Sequence, residues 1–148
     1  MIQTFTIPGD PVGKGRPRFG RTKNGGVHTY TPDKTAKYEA LVTRCYRAAI
    51  GYTVKYAPIG VEIDAYFPIP KSYSAKRVQD IAEERELPMK KPDCDNIVKI
   101  ILDALNGVAY TDDKQVVDVR CRKRYAKPGE PGRVVVTIWS AGPAGLKI

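Results

Sequence analysis

The segment from Cys94 to Asn106 constrains this fold more than any other part of the chain. At about 100° per residue, Asp95, Lys99, Asp103, Asn106 and Asn96 fall on one narrow arc. Ile97, Val98, Ile100, Ile101, Leu102, Ala104 and Leu105 fill the rest of the circumference. A helix apolar on most sides is buried on most sides, with one polar strip left to solvent. Gly107 follows as a natural C-terminal stop.

The other elements arrange themselves around that helix. Ile2 to Ile7 alternates weakly and reads as a strand. Gly9 to Gly26 reads as a loop rich in glycine, proline and basic residues. Thr31-Pro32 signals a helix start, with threonine as cap. Tyr38, Leu41, Val42, Cys45 and Ala49 supply its apolar stripe to about Ile50. Val61, Ile63, Ala65 and Phe67 alternate with Glu62, Asp64 and Tyr66 as a half-buried strand, ended by Pro68 and Pro70. Ser74 to Leu87 is charged and suits a short exposed helix or a mobile segment. Gln115 to Tyr125 places Val117, Val119, Cys121 and Tyr125 on one face and Asp118, Arg120, Arg122 and Arg124 on the other. A turn at 127–132 leads to a last strand, Arg133 to Trp139. These two strands are expected to form an antiparallel hairpin, although the turn is long. The order is β-α-β-(α)-α-β-β. It implies an α/β (α+β) fold, a single domain over 1–148 with a mixed β-sheet packed by helices. The tail from about residue 140 to 148 reads as loose.

Bulk properties remove several classes of function. Three cysteines without Cys-x-x-Cys spacing argue against a disulfide framework or structural zinc. The single histidine, His28, excludes multi-histidine metal centres and disfavours a nucleophile–histidine–carboxylate triad. No apolar run approaches the ~20 residues that span a bilayer, and the N-terminus has no basic start with an apolar stretch, so a cytoplasmic location is expected. The net charge of +9 favours a polyanion partner.

Against that positive background, clustered acids stand out. Asp93 and Asp95 flank Cys94, and Asp113 begins the following strand after a short loop. An Asp-x-Asp spacing on extended chain turns both carboxylates the same way. Consecutive elements are usually neighbours, which brings Asp113 near. Three carboxylates are an oxygen shell for Mg²⁺ or Mn²⁺, which activates phosphodiesters toward hydrolysis. Lys99, one turn beyond Asp95, can reach a scissile phosphate or relieve carboxylate repulsion. Each residue also has a structural reading. Asp93 suits a helix N-cap. Asp95 and Lys99 suit an i,i+4 ion pair. Asp112-Asp113 suits a turn.

Two basic segments suit phosphate contact. Lys14, Arg16, Arg18, Arg21 and Lys23 crowd the first loop with Gly13, Gly15 and Gly20, whose backbone amides could help form a cradle. The spacing is not that of a Walker A loop. Arg120, Arg122 and Arg124 form a ladder that needs solvent or a counter-charge. Phe19, Tyr30 and Tyr73 are candidates for stacking on unpaired bases.

Lys91-Pro-Asp-Cys-Asp-Asn-Ile-Val-Lys99, Leu102-Asp-Ala-Leu-Asn-Gly107 and Asp112-Asp113-Lys-Gln115-Val116 resemble the RusA family of Holliday junction resolvases. Lys14-Gly-Arg16-Pro-Arg18, with Tyr30-Thr-Pro32 downstream, resembles the opening of its phage and prophage members. The resemblance implies a homodimeric, Mg²⁺-dependent crossover junction endodeoxyribonuclease acting on branched DNA in recombination and repair. It implies metal binding by Asp93, Asp95 and Asp113, an active-site Lys99, and a second acidic position at Asp112. The alternatives are a less selective nuclease for branches or flaps, and a catalytically silent DNA-binding protein.

Overall fold

The computed structural model describes residues 2–51 and 56–142. In chain order the elements are β1 (Ile2–Pro8), β2 (Arg18–Arg21), β3 (Val27–Tyr30), α1 (Asp33–Ala49), β4 (Ile59–Phe67), α2 (Ala75–Ala82), α3 (Cys94–Leu105), a 3-10 turn (Asp113–Gln115), β5 (Val116–Tyr125) and β6 (Arg133–Ser140). The main sheet runs β1-β6-β4-β5, and β2 and β3 form a separate antiparallel pair. The expected mixed sheet with packed helices is present. The loop expected over Gly9 to Gly26 instead contains β2 and leads into β3, all of whose residues except Gly20 are exposed. With no buried face, this pair carries no apolar alternation to read in the sequence.

The expected hairpin of the last two strands does not form. β5 pairs in parallel with β4, and β6 pairs antiparallel with both β1 and β4. Burial explains the order. β6 is buried at Val134, Val136, Ile138 and Trp139, which suits a central strand. β5 carries its charged face and two exposed valines, Val117 and Val119, to the sheet edge. The parallel β4–β5 pair requires a crossover, and α2 and α3 lie in that connection.

The core lies between one sheet face and the helices. Val61, Ile63 and Ala65 of β4 meet Val134, Val136 and Ile138 of β6, Val42 and Tyr46 of α1, and Ile97, Ile100, Ile101 and Leu105 of α3. Each fully buried aliphatic side chain contributes about 1.5–3 kcal/mol. α1 begins after Pro32, not at a threonine cap, and buries Tyr46 where the stripe predicted Ala49. Tyr46 meets Phe5 edge to face at 5.5 Å. α3 matches its reading closely: Asp95, Asn96, Lys99 and Asn106 are exposed, Asp103 is half-buried, and Gly107 has φ +73°. α2 occupies the expected exposed segment, capped by Ser74. Residues 140 and 141, expected within a loose tail, are ordered. Ser140 closes β6, and Ala141 N–H donates to Pro58 O at 2.8 Å. Residues 143–148 lie outside the described residues.

Candidate functional site

The head of α3 presents Asp93 and Asp95 to solvent. Asp93 occupies the N-cap position in extended conformation, yet its side chain makes no capping hydrogen bond. Lys99 pairs with Asp103 at 3.2 Å, so the i,i+4 pair on this strip excludes Asp95. Neither Asp93 nor Asp95 has an ion-pair or hydrogen-bond partner for its carboxylate among the described residues. Uncommitted carboxylate oxygens are the donor chemistry that Mg²⁺ and Mn²⁺ take. The three expected ligands are not gathered, however. Among the described residues no group of three His, Cys, Asp or Glu side chains is close enough to hold an ion.

Asp112 and Asp113 differ in role. Asp112 caps the 3-10 turn: its carboxylate accepts from Lys114 N–H at 3.0 Å, and the Gln115 side chain accepts from Asp112 N–H at 2.9 Å. The Lys114 amide bond, chiefly, holds the Asp112 carboxyl below its ordinary value. Asp113 has no such capping duty. Tyr110 lies within reach of both Asp113 and Asp103. Burial, chiefly, and then these two carboxylates push its phenol up, and its hydroxyl donates to Leu102 O at 2.6 Å. Asp113 and Asp103 thus both act on the Tyr110 phenol, which bonds to α3 at Leu102.

Lys14 is not a free phosphate ligand. Its ammonium contacts Glu39 at 2.8 Å and Asp103 at 3.1 Å. Asp103 therefore joins Lys14 to Lys99 and ties the first loop to α1 and α3. Sequence reasoning missed Glu39 and gave Asp103 no role. The Lys99–Asp103 spacing signalled the second, whereas nothing local signalled the first. The glycine loop also does not offer its amides. Lys14 N–H donates to Asn96 O at 3.0 Å, and Gly15 N–H donates to Thr35 Oγ1 at 3.1 Å. Gly13 packs on the start of α3, where an added Cβ would sit 2.8 Å from Pro92 Cβ.

The arginine ladder on β5 is compensated by acids of β4 and of β5 itself. Register sets Arg120 opposite Glu62 and Arg122 opposite Asp64. Arg122 contacts Asp64 at 2.9 Å and Glu62 at 3.2 Å, Arg124 contacts Asp64 at 3.6 Å, and Arg120 contacts Asp118 at 3.7 Å. The counter-charge that the ladder required is thus supplied by the protein itself. Arg18 and Arg21 lie on the exposed β2–β3 pair and Lys23 on its turn, with Phe19 75% and Tyr30 45% exposed. Tyr73 is engaged instead by Arg77, 3.6 Å from its ring centre, and by Tyr125. Arg16 and Arg18 also line a cleft of about 720 Å³ whose lining includes Pro92, the residue before Asp93. The Lys91–Pro92 peptide is cis.

The model of the family described as Endodeoxyribonuclease RusA matches residues 8–139. The chain therefore belongs to the RusA family of endodeoxyribonucleases. It is also similar to the uncharacterized protein YqaN of Bacillus subtilis (strain 168), 43% identical over 139 residues that cover 90% of this chain and 93% of that protein. No helix among the described residues is long and apolar enough to cross a membrane.

Proposed function

We propose that this chain is a divalent-metal-dependent endonuclease that resolves four-way DNA junctions by paired, symmetric phosphodiester cleavage, acting as a homodimer. One observation carries the reading. Asp93 and Asp95 stand uncommitted at the exposed head of an otherwise buried helix, beside a cleft lined by unpaired cations. They contribute nothing to side-chain capping or ion pairing there, which leaves their oxygens open to a ligand. Asp93, Asp95 and Asp113 are the residues that would hold Mg²⁺ or Mn²⁺. A bound cation supplies polarisation of the scissile phosphate and charge compensation. Lys99 brings its ammonium to the same strip and offsets phosphate charge, and Asp103 holds it there. The exposed cations of the β2–β3 pair contact the DNA backbone. Two matched cuts require two matched sites, which a two-fold dimer provides.

The test is incubation of labelled four-way junction, flap and linear duplex with and without Mg²⁺. The reading expects paired nicks in the junction, only with the metal. Asp113→Asn should abolish them while junction binding persists. Equal cleavage of all three DNAs would establish the less selective nuclease. Binding without any nicking would establish the silent binder.

A further inference from the structure

We infer that the cleft between the first loop, the head of α1 and the segment before α3 grips the DNA phosphodiester backbone next to the cut. The inference rests on the function proposed above and names the surface that meets the substrate. Five cations line the cleft: Arg16 and Arg18 from the first loop and β2, Lys34 from the first turn of α1, and Lys90 and Lys91 from the segment before α3. The one lining acid is Asp10. Its Oδ1 lies toward the chain at Gly132, where an added Cβ would sit 2.5 Å away. None of the five cations pairs with a carboxylate among the described residues. The contrast with the outer sheet face is direct, because Arg120, Arg122 and Arg124 each have an acidic partner. Like charges brought together around a cleft repel, and an extended anion removes that repulsion.

The shape and chemistry favour a backbone over a free nucleotide phosphate. The amides of Lys14 and Gly15 are already consumed within the protein, so no backbone nest is left there to wrap one phosphate. The cations come from three separate stretches of chain around a cleft of about 720 Å³, which suits successive phosphates. Phe67 and Pro68 also line the cleft and add no competing acid, and the Lys90 ammonium lies over the Phe67 ring, 5.6 Å from its centroid. Pro92 also lines the cleft, and Asp93 is the next residue. A strand held in the cleft therefore lies beside the acidic head of α3. Side-chain contacts to phosphate carry no base information, so this grip is independent of sequence and sensitive to salt.

The test measures binding without cleavage. Junction DNA carrying a fluorophore is titrated with full-length protein in EDTA, across KCl from about 50 to 200 mM. Wild type is compared with Lys34→Gln/Lys90→Gln and with Arg77→Gln/Arg85→Gln. The last removes the same charge from ion pairs in the α2 region. Thermal melts establish that each variant is folded. The cleft variant should lose about 2 from the magnitude of the log Kd against log salt slope, near 0.9 per lost phosphate contact. Its affinity should fall roughly tenfold or more at the low-salt end, and the α2 variant should keep the wild-type slope. An unchanged slope in the cleft variant overturns the inference and leaves the nuclease reading standing. An equal loss in the α2 variant also overturns it, because bulk charge would then be the cause. A wild type that binds no DNA overturns the proposed function and this inference together.

Discussion

Replacing Lys14 by methionine tests whether this residue holds the structure together or meets DNA. Lys14→Met keeps the apolar stem and removes the ammonium that lies 2.8 Å from Glu39 and 3.1 Å from Asp103. The three side chains are 22%, 21% and 20% exposed, between the surface and the buried limit. Breaking a buried pair costs about 3–5 kcal/mol, and an exposed one about 0–1 kcal/mol. Asp103 retains Lys99 at 3.2 Å, so the loss falls mainly on Glu39. The expected destabilisation is therefore about 1–2 kcal/mol, a fall in Tm of about 3–8 °C for a chain of this size. Urea unfolding at neutral pH measures it, and a double-mutant cycle with Glu39→Gln isolates the pair.

The pH dependence gives a second reading of the same contact. Burial acts to lower the Lys14 value, but the hydrogen bonds to Glu39 and Asp103 outweigh it and hold the ammonium above its ordinary 10.5. A raised folded value means that the stabilisation is complete below pH 10.5 and is lost as pH rises through that higher value. The gap between wild type and Lys14→Met should accordingly narrow only in this alkaline window. Equal unfolding midpoints, or a cycle with no coupling, would refute the structural role. A loss of about 1 from the salt slope of DNA binding in Lys14→Met would return the residue to the DNA surface.

Three further outcomes follow from particular contacts. Gly60→Ala would place a Cβ 2.1 Å from Trp139 Cε2 and 2.4 Å from its Nε1. Overpacking of this kind costs about 1–3 kcal/mol or more, and the fluorescence of Trp139, the chain's one tryptophan, should report a lower midpoint. Asp112→Ala removes the cap whose carboxyl is held below 3.8, chiefly by the Lys114 amide. A lowered folded value confers stability above pH 3.8 that disappears as pH falls through it, so the variant should melt below wild type at pH 7 and alongside it at pH 2. Lys99→Met should slow junction cleavage about 10²–10³-fold with little change in binding, measured by single-turnover nicking. An equal loss of binding would make Lys99 a DNA anchor instead.

Much of this molecule was legible because its signals are local. The near-complete apolar surface of α3 and its single polar arc come from residues a few positions apart, so side-chain periodicity alone predicted which residues are buried. The alternation of Val61, Ile63, Ala65 and Phe67 marked β4 for the same reason, and the motif block from Lys91 to Val116 indicated the RusA family. The β2–β3 pair escaped because an exposed hairpin has no buried face to imprint on the sequence. The supposed Gly13–Gly15 cradle escaped because the partners of its amides, Asn96 and Thr35, lie on distant helices.

By itself, the sequence determined where acids and cations lie along the chain and which faces of the helices and strands must be apolar. Only the tertiary structure decided which charges are spent on one another. Arg122 and Asp64 are 58 positions apart, and β4 meets β5 only because apolar β6 takes the centre of the sheet and charged β5 the edge. The same folding turns Lys14 inward to Glu39 and Asp103 and leaves Arg16, Lys34 and Lys90 without acidic partners. The physical reason is that propensity and periodicity act over a few residues, whereas charge compensation acts through space among side chains that burial of the core has brought together.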